Sequence, residues 1–333
     1  MAHQIETMAY ANEVPWHKLG TQVSDDLTPA EMQKAAKLDW TVSKRPAYTI
    51  TDPEYHEKTG VMHCEGHHFI VRDNDSRVLS HCGDNYIPIQ NDEIFDFFVK
   101  FTKAGHMKME TAGSLKDGGE IWGLAKLADD FKLVGGDEVK GYLLINQPHT
   151  AGKAMTIKFT PIRVVCNNTL TMALQGNGTA LRMPHVKQFD AEVREAAEQA
   201  LGLSSQAIKD FKDKSEFLAS RQYKEEPLLN YLAELYQPKL LIEKAKTPDT
   251  EFIVRENINK TIEQVLQNID TSPGATMKSA KGTWWGALNG VTYKEDHQRS
   301  SKGEGNALHS AWFGVGANRK AKALDLAIQY ADA

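Results

Sequence analysis

Ile121-Trp122-Gly123-Leu124-Ala125 and Tyr142-Leu143-Leu144-Ile145-Asn146 are the two stretches that decide the fold. Both are short runs of β-favouring residues, and polar or glycine-rich segments separate them. A longer run of the same kind follows from Ala154 to Val165. Parallel strands need long crossover connections, and the turns here are short, so we expect consecutive strands to pair antiparallel. The segment from Met107 to Leu174 therefore predicts an antiparallel sheet.

Patterns on either side of this segment add helices and a hairpin. Thr28, Pro29 and Glu31 supply the N-cap, the first helical residue and the capping-box acid of a helix. Two β-favouring runs, 68–72 and 77–82, flank a polar four-residue turn and predict a hairpin. After it, the apolar residues of 91–101 recur at helical spacing.

The second half of the chain has a helical apolar pattern over residues 190–270. In this region we expect one helix to end near Gly202 and the next to start at Ser204 or Ser205. A final helix is expected from about Arg319 to Tyr330. Together these patterns predict an α+β fold with a core over residues 1–185 and a helical region over 186–270. A C-terminal segment, 271–333, is expected to pack back on the core.

Composition bounds the class of protein. The chain has 333 residues, 41% of them hydrophobic and 25% charged, which is typical of a globular protein. Its net charge of −5 argues against a basic surface all round, but it allows a local basic groove. Three cysteines disfavour a disulfide framework, and we find neither a secretory signal nor an apolar run long enough to span a membrane. We therefore expect a soluble, cytoplasmic protein with no membrane partner.

Motifs for nucleotide-driven chemistry are missing from the sequence. No Gly-x-x-x-x-Gly-Lys-Ser/Thr occurs, so an ATP-driven motor is not expected. Three Gly-x-Gly pieces lack the third glycine of a dinucleotide fingerprint and are interpreted as turns. We expect no bound cofactor.

The hairpin carries the one cluster with metal-ligand chemistry. Imidazole and thiolate groups suit zinc, and two ligands from each arm could close a tetrahedral site. Neighbours along a strand point to opposite faces, however, so the six residues cannot all converge and no metal is predicted. Cys166 lies beside Val164 and Val165 and lacks a partner base, so no catalytic residue is predicted either. The six residues of the cluster are His63, Cys64, His67, His68, His81 and Cys82.

The C-terminal segment is basic in an otherwise acidic chain. Between Gly274 and Lys322 there are eight Lys or Arg residues and three Asp or Glu residues. Aromatic residues, among them Trp284 and Trp285, lie between these cations. Cations that follow a phosphate backbone and aromatic rings that stack on bases are typical of single-strand binding. The alternative interpretation is that the tryptophans belong to the core and the lysines only face solvent.

Three ordered motifs, 16–20, 163–170 and 285–297, resemble the phage- and plasmid-borne proteins of domain of unknown function 932, and 112–115 fits as well. Their organisation is more distantly similar to the RecT, Redβ and Erf annealing proteins. That resemblance implies a curved antiparallel sheet backed by helices, a ring or filament of identical subunits, and no need for ATP.

We therefore expect a protein that binds and anneals single-stranded DNA, or RNA, as a homo-oligomer. One alternative is a metal-dependent enzyme that acts on nucleic acid or nucleotides. Another is a counter-defence binding protein without catalytic activity. The residues expected to contact nucleic acid are Lys44, Arg45, Lys158, Arg163, Lys278, Lys281, Trp284, Trp285, Arg299, Arg319 and Lys320.

Overall fold

The computed structural model describes residues 5–12, 19–50, 60–103, 107–163, 168–169, 180–185, 191–246, 254–298 and 307–333. Within these ranges, no helix combines the length and the apolarity needed to cross a bilayer. Strands and helices are both abundant and lie in separate layers, so the predicted α+β class is confirmed.

The main sheet has eight strands in the order β10-β9-β8-β7-β6-β1-β2, with β11 paired to β9. Consecutive strands β6 to β10 pair antiparallel, as the sequence predicts. One pair differs, because β1 and β2 are parallel. The strands of this sheet are β1 (Ile5–Ala11), β2 (Thr21–Val23), β6 (Met107–Leu115), β7 (Glu120–Leu133), β8 (Asp137–Pro148), β9 (Ala154–Arg163), β10 (Asn168–Thr169) and β11 (Ala180–Pro184).

A second, three-stranded sheet contains β3 (Val42–Ile50), β4 (Val61–Arg72) and β5 (Arg77–Cys82), with β4 in the centre. The predicted hairpin is confirmed, since β4 and β5 flank the turn 73–76 and pair antiparallel. The outer ends of β3 and β4 extend beyond β5 and expose large apolar side chains. We call this part, 48–50 with 61–63, the β3–β4 ribbon.

Nine helices are described: α1 (Pro29–Ala35), α2 (Asn91–Lys103), α3 (Ala191–Ser220), α4 (Glu225–Tyr236), α5 (Pro238–Lys246), α6 (Lys260–Thr271), α7 (Trp284–His297), α8 (Ala307–Phe313) and α9 (Val315–Asp332). The capping box at the start of α1 forms as predicted: Thr28 Oγ1 accepts from the Glu31 backbone N–H, and Glu31 accepts from Thr28.

Two predicted helix boundaries are wrong. Gly202 does not end a helix, because α3 continues from Ala191 to Ser220. An interior glycine costs a helix only about 1 kcal/mol relative to alanine, and packing of Ile208, Phe211 and Leu218 offsets that cost. The last helix begins at Val315 and not at Arg319.

The two faces of the main sheet bury different clusters. On the first face, side chains such as Ile121, Leu143 and Ile157 join a large core that also includes residues of α1, α2, α3 and α7. On the second face, Trp122, Tyr142 and Leu144 form a smaller cluster that Trp312 and Phe313 of α8 cover in part. Polar side chains of β9 and β11 lie next to this smaller cluster.

Candidate functional site

The second face of the sheet carries a patch of polar residues on β8, β9 and β11. Directly paired residues of antiparallel strands project to the same face, and Lys158 pairs with Leu144 while Thr156 pairs with both Asn146 and Arg182. Thr160, two residues beyond Lys158, projects the same way. We call Asn146, Thr156, Lys158, Thr160 and Arg182 the polar patch.

Lys158 lies at the centre of the polar patch. Its Nζ donates to the backbone carbonyl of Trp312 and lies 5.1 Å from the centre of the Phe313 ring. Burial of the ammonium group, together with the nearby cations Lys320 and Arg182, lowers the pKa of Lys158 to about 7, although Asp296 acts in the opposite direction. Lys158 therefore sits in a site that disfavours its own positive charge.

A buried ion pair lies near this lysine, and a second, partly exposed one joins the same two helices. Lys320 Nζ is 2.5 Å from Asp296 Oδ1, and both side chains are almost fully buried. Arg319 is 3.0 Å from Glu295 Oε1, which also accepts a hydrogen bond from the Tyr236 hydroxyl. The guanidinium of Arg319 stacks over the Tyr236 ring at 5.0 Å.

The expectation that Arg319 and Lys320 contact phosphate at a helix N-terminus does not fit this geometry. The two residues lie in the second turn of α9, because that helix begins at Val315. Their charges pair with acids of α7; Lys320 is 1% exposed, and Arg319 is half-buried. Exposed cations at a helix start would bind an anion from solvent, whereas these two hold α9 against α7.

Trp284 and Trp285 are packing residues and not platforms for bases. They are 2% and 0% exposed, and both belong to the large core. Trp284 packs edge-on against Tyr231 with 5.5 Å between ring centres. Trp285 donates its indole N–H to Asp137 over 3.0 Å. Of the two interpretations that the sequence leaves open for these rings, the geometry matches core packing.

Gly290, in the motif that contains these tryptophans, lies where two helices pack closely. A Cβ atom on Gly290 of α7 would lie 2.4 Å from Ile269 Cγ1 of α6, and such contacts do not occur. The absence of a side chain therefore lets α6 and α7 cross closely. This contact fixes α7, which presents Glu295 and Asp296 to α9.

Lys278 and Lys281 are the predicted cations that lie exposed in the described chain without an ion pair. They occupy the turns between α6 and α7, where Lys278 packs next to the glycine turn that joins β7 and β8. Between them, Ser279 is buried and donates to Asp137 over 2.6 Å. Asp137, the first residue of β8, therefore connects this lysine-bearing turn to the β7–β8 hairpin and to Trp285.

The remaining predicted cations are engaged or undescribed. Lys44 donates to the carbonyls of Asp84 and Tyr86, and Arg45 pairs with Asp73 at 2.9 Å. Arg163 ends β9, but its side chain lies outside the described part of the structure, as do Arg299 and Cys166.

Four of the six His and Cys residues of the hairpin lie in two pairs. His67 Nδ1 and His81 Nε2 are 2.9 Å apart with stacked rings, while His68 lies across from Cys82 and 3.4 Å from Asp84. His63 contacts Tyr48 near the end of the ribbon. Among the described residues, no three His, Cys, Asp or Glu side chains lie close enough to hold a metal ion.

Sequence reasoning missed two further groups. Glu120 is buried, with Lys116 at 2.9 Å, His309 at 3.0 Å and Lys153 also in contact. Burial alone would raise the pKa of Glu120, but the hydrogen bonds from His309, Lys153 and Lys116 lower it to about 2. His149 and His185 are also buried and contact Asn91 and Gln147. Only a known strand order places such distant residues together, so a single sequence gives no signal for them.

A comparison with protein families matches residues 78–312 to a domain of unknown function, DUF932. The chain belongs to the DUF932 family. No curated protein and no solved structure matches it. The DUF932 region includes the polar patch, the lysine-bearing turn, and all of α3 to α7. Within it, α7 packs beside β10, so two of the motifs noted in the sequence, 163–170 and 285–297, are neighbours in space.

Proposed function

We propose that this DUF932 protein binds single-stranded nucleic acid without ATP and promotes annealing of complementary strands. The observation that carries the proposal is the pair of exposed lysines, Lys278 and Lys281, held on a turn that Ser279 and Trp285 anchor to Asp137. Cations without an acidic partner are free to neutralise phosphates. A fixed turn presents them without the cost of ordering a loop.

The proposed activity also fits the origin that the resemblance suggests. Annealing proteins of the RecT, Redβ and Erf kind, carried by phages, act without ATP, and the present sequence has no phosphate-binding loop. We place this chain in that functional group, as a protein of phage or plasmid type acting inside the bacterial cell.

The proposed working form is an oligomer of identical subunits. The β3–β4 ribbon supports this, because it exposes 57% of Tyr48, 57% of Ile50 and 72% of Val61. The outer strand of the ribbon, β3, is also an edge of its sheet, so its backbone groups can pair with another strand. A second copy of the chain offers the same edge and the same apolar side chains, which suits a self-complementary contact.

The direct test is an annealing assay in a chelator and without ATP. Two complementary strands, one carrying a fluorophore and the other a quencher, are mixed with the full-length protein at low salt. Accelerated quenching that disappears at high salt supports the proposal. Quenching at the spontaneous rate, with no retention of single strands on the protein, would replace it with a function that involves a protein partner.

A further inference from the structure

We propose that the polar patch on the second sheet face is a binding site for the phosphate group of a nucleotide, with Lys158 and Arg182 as its cationic ligands. This inference deepens the proposed function, because it names a second place on the chain where a phosphate is held. It concerns the opposite face of the sheet from the core that anchors Trp285.

The first argument is the lack of anionic partners. Within the described chain, no acidic side chain forms an ion pair with Lys158 or with Arg182. Lys158 donates to a backbone carbonyl, that of Trp312. The two residues are diagonal neighbours across β9 and β11, so their Cβ atoms are about 7–8 Å apart or closer. Arg182 is exposed, whereas Lys158 is half-buried and contacts Trp312 and Phe313.

The second argument is unused hydrogen-bonding capacity. Asn146 Oδ1 and Thr160 Oγ1 are buried and have no hydrogen-bond partner in the described structure. The two residues are 7% and 3% exposed. Both lie on the same face as Lys158. Thr160 is two residues after it on β9, and Asn146 pairs with Thr156, two residues before it. Buried polar atoms normally find a partner. Thr160 Oγ1 can donate to a phosphate oxygen, whereas Asn146 Oδ1 only accepts and needs a donor such as a base N–H or a water.

The third argument is the adjoining apolar surface. The half-buried rings of Trp312 and Phe313 lie beside the polar patch and pack on the buried Tyr142 and Leu144. A ligand with an anionic group and a flat aromatic group matches the pair of surfaces, because the anion meets the cations and the ring meets the apolar side chains. A nucleotide has both groups.

Lys158 gives the site a signature that a structural lysine would not show. Its pKa is lowered by burial and by Lys320 and Arg182, with Asp296 opposing, and a bound phosphate would raise it again. Binding at pH 8 should therefore take up about one proton, since the free lysine is mostly neutral and the bound one charged.

The test is calorimetric titration of the full-length protein at pH 8 with inorganic phosphate, thymidine monophosphate and a thymidine oligonucleotide. Titrations in buffers of different ionisation enthalpy give the proton uptake. We expect the mononucleotide to bind more tightly than phosphate, with Lys158→Met and Arg182→Gln each weakening it about tenfold or more. Lys34→Gln, on α1 at the opposite face, is the matched control.

Each outcome decides the matter. If neither variant changes mononucleotide binding, or if binding takes up no proton, the site is refuted. Binding of phosphate as tight as that of the mononucleotide refutes the nucleotide class. Arg182 is exposed, so Arg182→Gln remains informative even if Lys158→Met fails to fold. Strand binding that depends on Lys278 and Lys281 but not on Lys158 or Arg182 keeps the proposed function and refutes this inference.

Discussion

The indole N–H of Trp285 donates to the carboxylate of Asp137 over 3.0 Å, across 148 residues of sequence. Both residues are fully buried, and Ser279 donates to the same carboxylate. The contact joins the start of β8 to the start of α7 and fixes the turn that carries Lys278 and Lys281. The sequence pattern suggests Trp285 as a stacking platform, but in the fold this residue helps to position Lys278 and Lys281.

Replacing Trp285 by Phe keeps most of the ring but removes the donor to Asp137. Because the carboxylate is buried, the lost partner should lower the free energy of unfolding by about 1–3 kcal/mol. Denaturant unfolding followed by circular dichroism measures the change. An unchanged midpoint would mean that Asp137 does not depend on this hydrogen bond.

Trp284→Ala tests whether the neighbouring tryptophan is a core residue. It packs against Tyr231 and is 2% exposed, so truncation should reduce stability by about 3–5 kcal/mol. Affinity of the folded fraction for single strands should stay within twofold. A stable variant that binds strands at least ten times more weakly would restore the stacking role.

Acid should destabilise the protein through its buried histidines. Burial and the nearby His185 lower the pKa of His149 from 6.5 to about 3, and burial lowers that of His185 as well. Below pH 6.5 the unfolded chain therefore binds protons that the folded chain excludes, and stability falls as the pH falls toward 3. The slope that His149 contributes is about 1.4 kcal/mol per pH unit.

Urea unfolding between pH 8 and pH 5 measures this slope. His149→Gln should be less stable at pH 8, because a buried imidazole that donates to Asn91 is replaced. The variant should also take up about one proton fewer on unfolding, so its free energy of unfolding should change less steeply with pH. An equal slope in the wild type and the variant would show that His149 does not titrate on unfolding.

The oligomer should depend on the apolar side chains of the β3–β4 ribbon. Ile50→Lys combined with Val61→Lys places two charges on the proposed contact, and light scattering should then give a mass near 37.2 kDa in place of a multiple of it. Lys34→Gln with Lys239→Gln alters two exposed lysines elsewhere and should leave the mass unchanged. A wild-type monomer, with or without single strands, excludes the ring or filament.

Local features of the fold were predictable from the sequence, and distant ones were not. The capping box of Thr28 and Glu31, the hairpin around 73–76 and the antiparallel order of β6 to β9 depend on neighbours within a few residues. The partner of Lys320 is 24 residues away and that of Trp285 is 148 residues away. Charge and aromatic patterns do not reveal such partners, so they suggested an exposed surface where the fold buries both residues.

Arg182 illustrates the same limit for the candidate site. Nothing near it in the sequence marks a function, and it joins Lys158 only because β11 pairs with β9 in a particular register. A shift of one residue in that pairing would send its side chain to the other face. The polar patch therefore depends on strand register, which a single sequence does not specify.

The central claim, that fixed and unpaired lysines bind the phosphates of single strands, is tested most directly by a salt series of fluorescence anisotropy titrations. Full-length protein is titrated into a labelled thymidine oligonucleotide for the wild type, for Lys278→Gln with Lys281→Gln, and for the control Lys34→Gln with Lys239→Gln. We expect tight binding at low salt, and a slope of log affinity against log salt that the first pair of substitutions reduces by about 1.4, or 0.7 for each lost contact. The control should keep the wild-type slope. Equal slopes for all three proteins, or no binding at low salt, would contradict the claim.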